Sequence, residues 1–282
     1  MKKRVLLTGA SSYLGARVYF DLQHKFDLIG TFYGNKLTDS LVQLDLSRPE
    51  SIVSVMDRYK PEMIVHCANF ASARYIDGNE KNFEAVNFRA TDLLVDQANS
   101  IGAKMIFISS FGAFVPDDNH YAKRKFESEK KSQQTKAGYL IIRPSLITGF
   151  SPNTSNDRPF NRILKCIDDG VKECEFDDRW KFRPTYIGHV SQIIEGVIKR
   201  NNWNQMLPVV VDKVVSQYLL AKAILNHFGI EVKPIDKGYD FPLVDVDREV
   251  LEAFALQPNS YEEMIEEIVD DINSRDRFKL DD

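Results

Sequence analysis

Thr8-Gly9-Ala10-Ser11-Ser12-Tyr13-Leu14-Gly15 follows the short apolar run Val5-Leu6-Leu7 and opens a segment of helical spacing. A strand that turns through glycine into a helix can receive a pyrophosphate, because free backbone N–H groups and the positive end of the helix dipole converge there. Gly9 suits the tight turn, the small residues after it let the backbone approach a ligand, and Gly15 lets helix and strand pack closely. The middle position of this G-x-x-G-x-x-G spacing is Ser12 rather than glycine, so the motif also fits a ligand-free strand-to-helix turn.

Outward from the turn, short apolar β-branched runs alternate with helix-period segments. Strands are expected near 4–8, 27–32, 41–44, 63–67, 104–109 and 139–143, and helices over Tyr13–His24, Pro49–Tyr59, Glu80–Ser100 and Asn119–Gln134. That alternation predicts an α/β protein with a Rossmann-type, doubly wound parallel sheet over residues 1–147. After Ile147, Gly149, Pro152, Asn153, Asn156 and Pro159 interrupt the rhythm. Residues 148–282 therefore read mainly as a smaller C-terminal substrate-binding lobe, with a segment near 186–212 returning to the first domain. Within them the spacing predicts helices over Val190–Lys199, Ser216–Phe228 and Tyr261–Ile272, a strand over Pro208–Val211, and a solvated, frayed tail after Asn273.

The composition excludes several classes of function. With 43% hydrophobic residues in 282, the chain can bury a sizeable core, and a net charge of -4 offers no basic footprint for nucleic acid or an anionic membrane surface. Met1-Lys2-Lys3-Arg4 precedes an apolar run too short for a signal peptide, and no later stretch is long enough to span a bilayer, so a cytoplasmic protein is expected. Cys67, Cys166 and Cys174 form no C-x-x-C pair and the five histidines show no ligand spacing. Neither a metal site nor a disulfide framework is expected.

Further cofactor signals lie at the ends of the other strands. Asp45, in Leu44-Asp45-Leu46, can accept a hydrogen bond from an adenine amino group or simply cap the turn before Pro49. Cys67-Ala68-Asn69 is small and polar enough to pass under a ribose or nicotinamide, whereas His66 reads as a packed strand residue. Thr31 to Lys36 lacks the acid that would bind an NAD ribose 2′-hydroxyl, and Lys36 and Arg17 could neutralise a 2′-phosphate. NADPH is therefore expected in preference to NADH.

Ile108-Ser109-Ser110-Phe111 ends the fifth strand, and Tyr121 and Lys125, four apart, share a helical face just beyond it. An ammonium beside a phenol favours the phenolate and makes it a workable acid/base, while a serine hydroxyl can bind a carbonyl oxygen as hydride arrives at its carbon.

Thr8 to Gly15, Ala85-Val86-Asn87, Ile108-Ser109-Ser110, Tyr121 to Lys125 and Arg143-Pro144-Ser145 together resemble an extended short-chain dehydrogenase/reductase. Leu44-Asp45-Leu46, the phrase ending in Asn87, and Arg183-Pro184-Thr185-Tyr186 are similar in order and spacing to the dTDP-4-dehydrorhamnose reductase group. The resemblance implies that Tyr121 donates the proton, Lys125 orients the ribose and lowers the tyrosine pKa, Ser110 polarises the carbonyl, and Asn87 supports the proton relay or the geometry near Lys125. It also implies cofactor contacts from Gly9, Ser11, Ser12, Tyr13, Leu14, Gly15, Lys36, Asp45, Leu46, Cys67, Ala68, Asn69, Ser109 and Pro144.

The implied activity is NAD(P)H-dependent reduction of a keto group on a nucleotide-diphosphate sugar. The substrate is expected against Phe111, Arg158 and Arg183, with Arg162 nearby, and the resemblance is compatible with a homodimer. Ser109-Ser110-Phe111 departs from the group's usual Ser-Thr-Asp, the loop before Tyr121 is short, and Arg74 replaces a frequent acid. The alternatives are an epimerase or dehydratase on the same scaffold, or a non-catalytic NADP-binding regulatory subunit.

Overall fold

Val5, Leu6 and Leu7 have no solvent exposure and alternate between two cores, which fixes the layering of the protein. The structure, a computed structural model, describes residues 2–70, 79–117, 119–239, 243–244 and 260–279; Arg74 lies outside them. The first half runs β1 (Arg4–Thr8), α1 (Tyr13–Leu22), β2 (Asp27–Phe32), β3 (Val42–Gln43), α2 (Pro49–Tyr59), β4 (Met63–His66), α3 (Glu80–Glu84), α4 (Ala90–Ile101), β5 (Lys104–Ile108), α5 (His120–Ser132) and β6 (Tyr139–Pro144). The second half adds β7 (Leu146–Thr148), α6 (Pro159–Asp168), β8 (Glu173–Asp177), β9 (Lys181–Phe182), β10 (Pro184–Tyr186), α7 (Ile187–Arg200), β11 (Gln205–Val209), β12 (Val215–Ser216), α8 (Gln217–Leu225), β13 (Glu231–Ile235) and α9 (Tyr261–Asn273).

Seven parallel strands form the central sheet in the order β11-β6-β5-β4-β1-β2-β3. Val5, Leu7, Val65 and Ile106 face the core shared with α1 and α7, while Leu6, Ile64 and Met105 face α2 and α4. This is a doubly wound Rossmann-type sheet. Its strand order reverses at β1 and β4, the place where such sheets open a crevice at their carboxyl ends.

The local signals act as their chemistry requires. Pro49 opens α2, Asn119 caps α5 by accepting from the Ala122 N–H at 2.8 Å, and Gly102 ends α4 with a φ of 70°. The helical run from Glu80 is broken by a π-turn at Ala85–Arg89. β11 begins earlier than Pro208, which sits inside the outermost strand, where a missing N–H costs no ladder bond on the open side. Outside the sheet, β7 pairs with β10, β9 with β12 and β8 with β13.

Two expectations change at the chain's end. Residues 275–278 form a 3₁₀ turn rather than fraying, and Phe278, 4% exposed, packs against Phe20 and Phe150 at 4.9 and 5.1 Å between ring centroids. Arg17 is likewise not at a phosphate. Its guanidinium is buried against Asp21 (3.0 Å), Asp271 (2.6 Å) and the Phe150 carbonyl (2.8 Å). Among the described residues, no helix is long and apolar enough to cross a membrane.

Candidate active site

The turn between β1 and α1 requires both of its glycines. Gly9 has a φ of +70°, and a Cβ there would lie 2.7 Å from the Ala68 Cα; at Gly15 a Cβ would lie 2.0 Å from the Gly9 carbonyl oxygen. Ser12 has its own role as the N-cap of α1, its hydroxyl accepting from the Gly15 N–H at 3.0 Å. Tyr13 and Leu14 are buried, so their side chains build the core rather than the wall of a cofactor cleft. The irregular segment after β7 braces this turn. Asn153 Nδ2 donates to the Ser11 carbonyl at 2.6 Å, the Ser151 hydroxyl donates to the Tyr13 carbonyl at 2.6 Å, and the Tyr13 hydroxyl donates to the Gly149 carbonyl. Sequence reasoning missed Ser151 and Asn153, whose partners lie 138 and 142 positions away.

A cleft of about 360 Å³ opens beside the turn, lined by Gly9, Ser11 and Ser12, by residues 31–35, by residues 44–47, and by Ala68, Asn69 and Phe70. Asp45 and Leu46 stand in its wall as expected, although Asp45 Oδ1 also accepts from the Ser47 N–H and hydroxyl, at 2.9 and 2.6 Å. Residues 31–35 present no carboxylate, and Tyr33 is 66% exposed. Lys36 is not in this wall; its ammonium is 2.7 Å from Asp39. Cys67 is buried behind it, its thiol pushed up to about 12 chiefly by burial. His66 lies between the Thr8 and Thr91 hydroxyls at 2.7 and 3.2 Å, and burial followed by the Lys125 charge pushes its pKa down to about 3. It is a packed, neutral strand residue, as its position in the sequence implied.

At the carboxyl end of β5, Ser110 caps the 3₁₀ turn Phe111–Phe114, accepting from the Gly112 N–H at 3.2 Å. Burial pushes the half-buried Tyr121 phenol up to about 12, opposed by the Arg158 charge and by Ser110. The expectation that Lys125 lowers it is not met. Lys125 Nζ lies 5.9 Å from the Tyr121 ring centroid and donates to the Ile108 carbonyl at 2.9 Å. Its own pKa falls to about 8 through burial, against the pull of Glu129 and Cys67. Tyr121 is thus a protonated donor in this state.

The Asn87 side chain is engaged by the backbone of Phe70. Its Oδ1 accepts from the Phe70 N–H at 2.7 Å and its Nδ2 donates to the Phe70 carbonyl at 2.9 Å, fixing the chain that walls the cleft. It sits in the π-turn, and its own carbonyl accepts from the Ser128 hydroxyl at 3.0 Å. Ser109 points away from the cleft to Glu129, and Pro144 is buried at the end of β6. Phe111 is buried against Val210 and Phe114 rather than facing a substrate.

Of the arginines, Arg158 is exposed and close enough to act electrostatically on both Tyr121 and Tyr13. Arg162 is paired with Asp157 at 2.6 Å, and Arg183 donates to the Asp212 carbonyl. Glu129 and Arg143, missed by sequence reasoning, form a buried pair beneath Lys125; the available signal was an acid continuing the four-residue stripe of Tyr121 and Lys125.

Comparison with known proteins agrees with this fold. The dTDP-4-dehydrorhamnose reductase of Bacillus anthracis, solved in complex with NADP, superposes with a TM-score of 0.77 at 20% identity, over 95% of this chain and 99% of that one. WbmG of Bordetella bronchiseptica, solved with NAD and UDP, gives a TM-score of 0.77 at 15% identity, over 99% and 97% of the two chains. In sequence, methionine adenosyltransferase 2 subunit beta of Danio rerio is 24% identical over 248 residues, 81% of this chain and 75% of that protein. The family model for the RmlD substrate binding domain matches residues 2–273, and the chain belongs to that family.

Proposed function

We propose that the chain is a reductase that binds NADPH in preference to NADH and reduces a keto group on a nucleotide-diphosphate sugar, with Tyr121 as proton donor. The observation that carries this reading is the placement of Tyr121 and Lys125 on one face of α5 at the carboxyl end of β5, where Lys125 Nζ donates to the Ile108 carbonyl at 2.9 Å and lies 5.9 Å from the Tyr121 ring centroid. The chain's residues fit a dinucleotide. Gly9 and Gly15 leave no room for side chains where the backbone must approach a pyrophosphate, and the carboxylate-free wall at 31–35 accepts a 2′-phosphate. When bound, the reduced nicotinamide supplies the hydride.

The protein's own residues supply the remainder. Ser110 offers a hydroxyl to the substrate oxygen, Tyr121 gives that oxygen a proton, and the Lys125 ammonium, with one hydrogen on the Ile108 carbonyl, keeps others for ribose hydroxyls. Residues 148–282 supply most of the substrate lobe, and Arg158 is its anion-binding group nearest the tyrosine.

A second reading is a cofactor-binding subunit of a larger enzyme, favoured by the relatives named as a beta subunit of methionine adenosyltransferase 2. Loss of NADPH absorbance with a panel of keto-sugar nucleotides separates the two. The reductase reading expects turnover that falls by about 10²–10⁴-fold in Tyr121→Phe while NADPH affinity is kept. NADPH binding with no turnover of any sugar would favour the subunit reading.

A further inference from the structure

Tyr121, Lys125 and Glu129 are spaced four apart along α5 and occupy one face of it. The first two belong to the proposed chemistry. The third, 1% exposed, is the most deeply buried carboxylate on this helix. Its Oε1 accepts from the Ser109 hydroxyl at 2.5 Å and from Arg143 Nε at 2.8 Å, and its Oε2 accepts from Arg143 Nη2 at 2.6 Å. The Arg143 guanidinium lies 4.2 Å from the Phe114 ring centroid, in the turn that Ser110 caps. Ser109 itself is tied to β6 through its N–H, 2.7 Å from the Ile142 carbonyl.

α5 therefore grips the end of β5 at two successive residues. Lys125 holds the Ile108 carbonyl, Glu129 holds the Ser109 hydroxyl, and Ser110 follows directly. A buried ion pair is a weak source of net stability, because desolvating two charges cancels most of their attraction, so packing alone does not account for it. The groups facing Lys125 are Tyr121 and Glu129 from its own helix, His66 and Cys67 from the end of β4, and the Phe107 ring from β5. His66 is held neutral, and the Cys67 thiol is pushed up towards its own neutral form. Among these groups Glu129 carries the negative charge that opposes deprotonation of the buried ammonium.

We propose that Glu129 is a positioning residue of this site: through Ser109 it sets the end of β5 that carries Ser110, and from one turn along α5 it places a negative charge behind the Lys125 ammonium. The proposal rests on the reading of Ser110, Tyr121 and Lys125 as the reacting set, and its test has a readout independent of turnover.

Lysine labelled with ¹³C at Cε, with the Lys125 signal assigned by its loss in Lys125→Arg, reports the titration of that amine by NMR in the full-length protein. Glu129→Gln keeps groups able to bond Ser109 and removes the charge. Glu129→Leu/Arg143→Met removes the whole pair without leaving an orphan charge, and serves if the single variant fails to fold. The Lys125 signal is expected to titrate at least about one pH unit lower in either folded variant than in the parent. NADPH affinity is expected to fall about tenfold near pH 8 and to recover near pH 6. An unchanged Lys125 titration, or loss of affinity equal at every pH, overturns the proposal. A shifted titration with no effect of Tyr121→Phe on turnover upholds the link from Glu129 to Lys125 and overturns the reductase reading instead.

Discussion

Ser110, just beyond the end of β5, acts on the Tyr121 phenol in the first turn of α5 and lowers its pKa. Both residues are placed by caps: Ser110 caps a 3₁₀ turn, and Asn119, two residues before Tyr121, caps α5. Ser110 opposes the burial that raises the phenol, so it acts on that group's chemistry. Ser110→Ala is expected to lower kcat for keto-sugar reduction by about 10–100-fold and leave the NADPH dissociation constant within about twofold. An equal loss in cofactor affinity would place Ser110 on the cofactor rather than the carbonyl.

NADPH affinity is expected to depend on pH through Lys125. Its pKa is lowered to about 8, so the ammonium is present below that value and is lost as pH rises through it. Fluorescence titrations should show affinity that is flat on the acid side and weakens above about pH 8. The Tyr121 phenol, at about 12, stays protonated throughout. Lys125→Met should abolish the pH dependence.

Gly15→Ala is expected to cost more than about 3 kcal/mol in urea denaturation, because the new methyl would meet the Gly9 carbonyl oxygen at 2.0 Å. Gly102→Ala, where the Cβ would have open space and only the positive φ is at issue, should cost about 1 kcal/mol. Equal costs would mean that the glycine turn tolerates more than its geometry allows.

Acid should destabilise the fold through two histidines. Burial lowers the pKa of His66 to about 3 and of His189 to about 4. Each is neutral in both states above the ordinary value near 6.5. As pH falls below it the unfolded chain takes up the proton first, so stability is lost towards the folded-state values. At pH 5 each contributes a loss of about 2 kcal/mol relative to pH 7. Urea midpoints measured at the two pH values should show this loss, and it should shrink in His66→Gln.

Arg158 and Arg183, equivalent in the sequence, are now distinguishable. Arg158→Ala should raise KM for a sugar nucleotide by about 10–100-fold, whereas Arg183→Ala, whose partner is the Asp212 carbonyl, should change KM by less than about threefold. The reverse order would place the substrate on the Arg183 side of the lobe.

What could be read from the sequence was local. The glycine turn, the Tyr121–Lys125 spacing and the strand at the apolar run Val5-Leu6-Leu7 depend on neighbours within a turn or a strand, and the structure keeps all three. What could not be read depends on partners far along the chain. Asn87 is polar and matches a site residue of the family the chain resembles, yet its amide is used twice by the Phe70 backbone. Arg17 sits one turn into α1, where a phosphate partner is a natural reading, but its carboxylate partner Asp271 is 254 positions away. Phe111 next to the reactive serines resembled a substrate contact until Val210, from beyond β11, covered it.

The Asp271 carboxylate, with no exposure, receives Arg17, Arg277 and the Tyr186 hydroxyl at 2.6, 2.6 and 2.9 Å. This gathering has a consequence during synthesis. At roughly 5–20 residues per second, α1 leaves the ribosome about 13–50 s before the Asp271 carboxylate that pairs with its arginine. Through that interval the nascent nucleotide-binding half carries a guanidinium with Asp21 as its carboxylate partner and without Asp271, on the face where Phe150 and Phe278 will pack. A chaperone that recognises apolar surface beside positive charge would find its target there, and release would coincide with the arrival of the last helix.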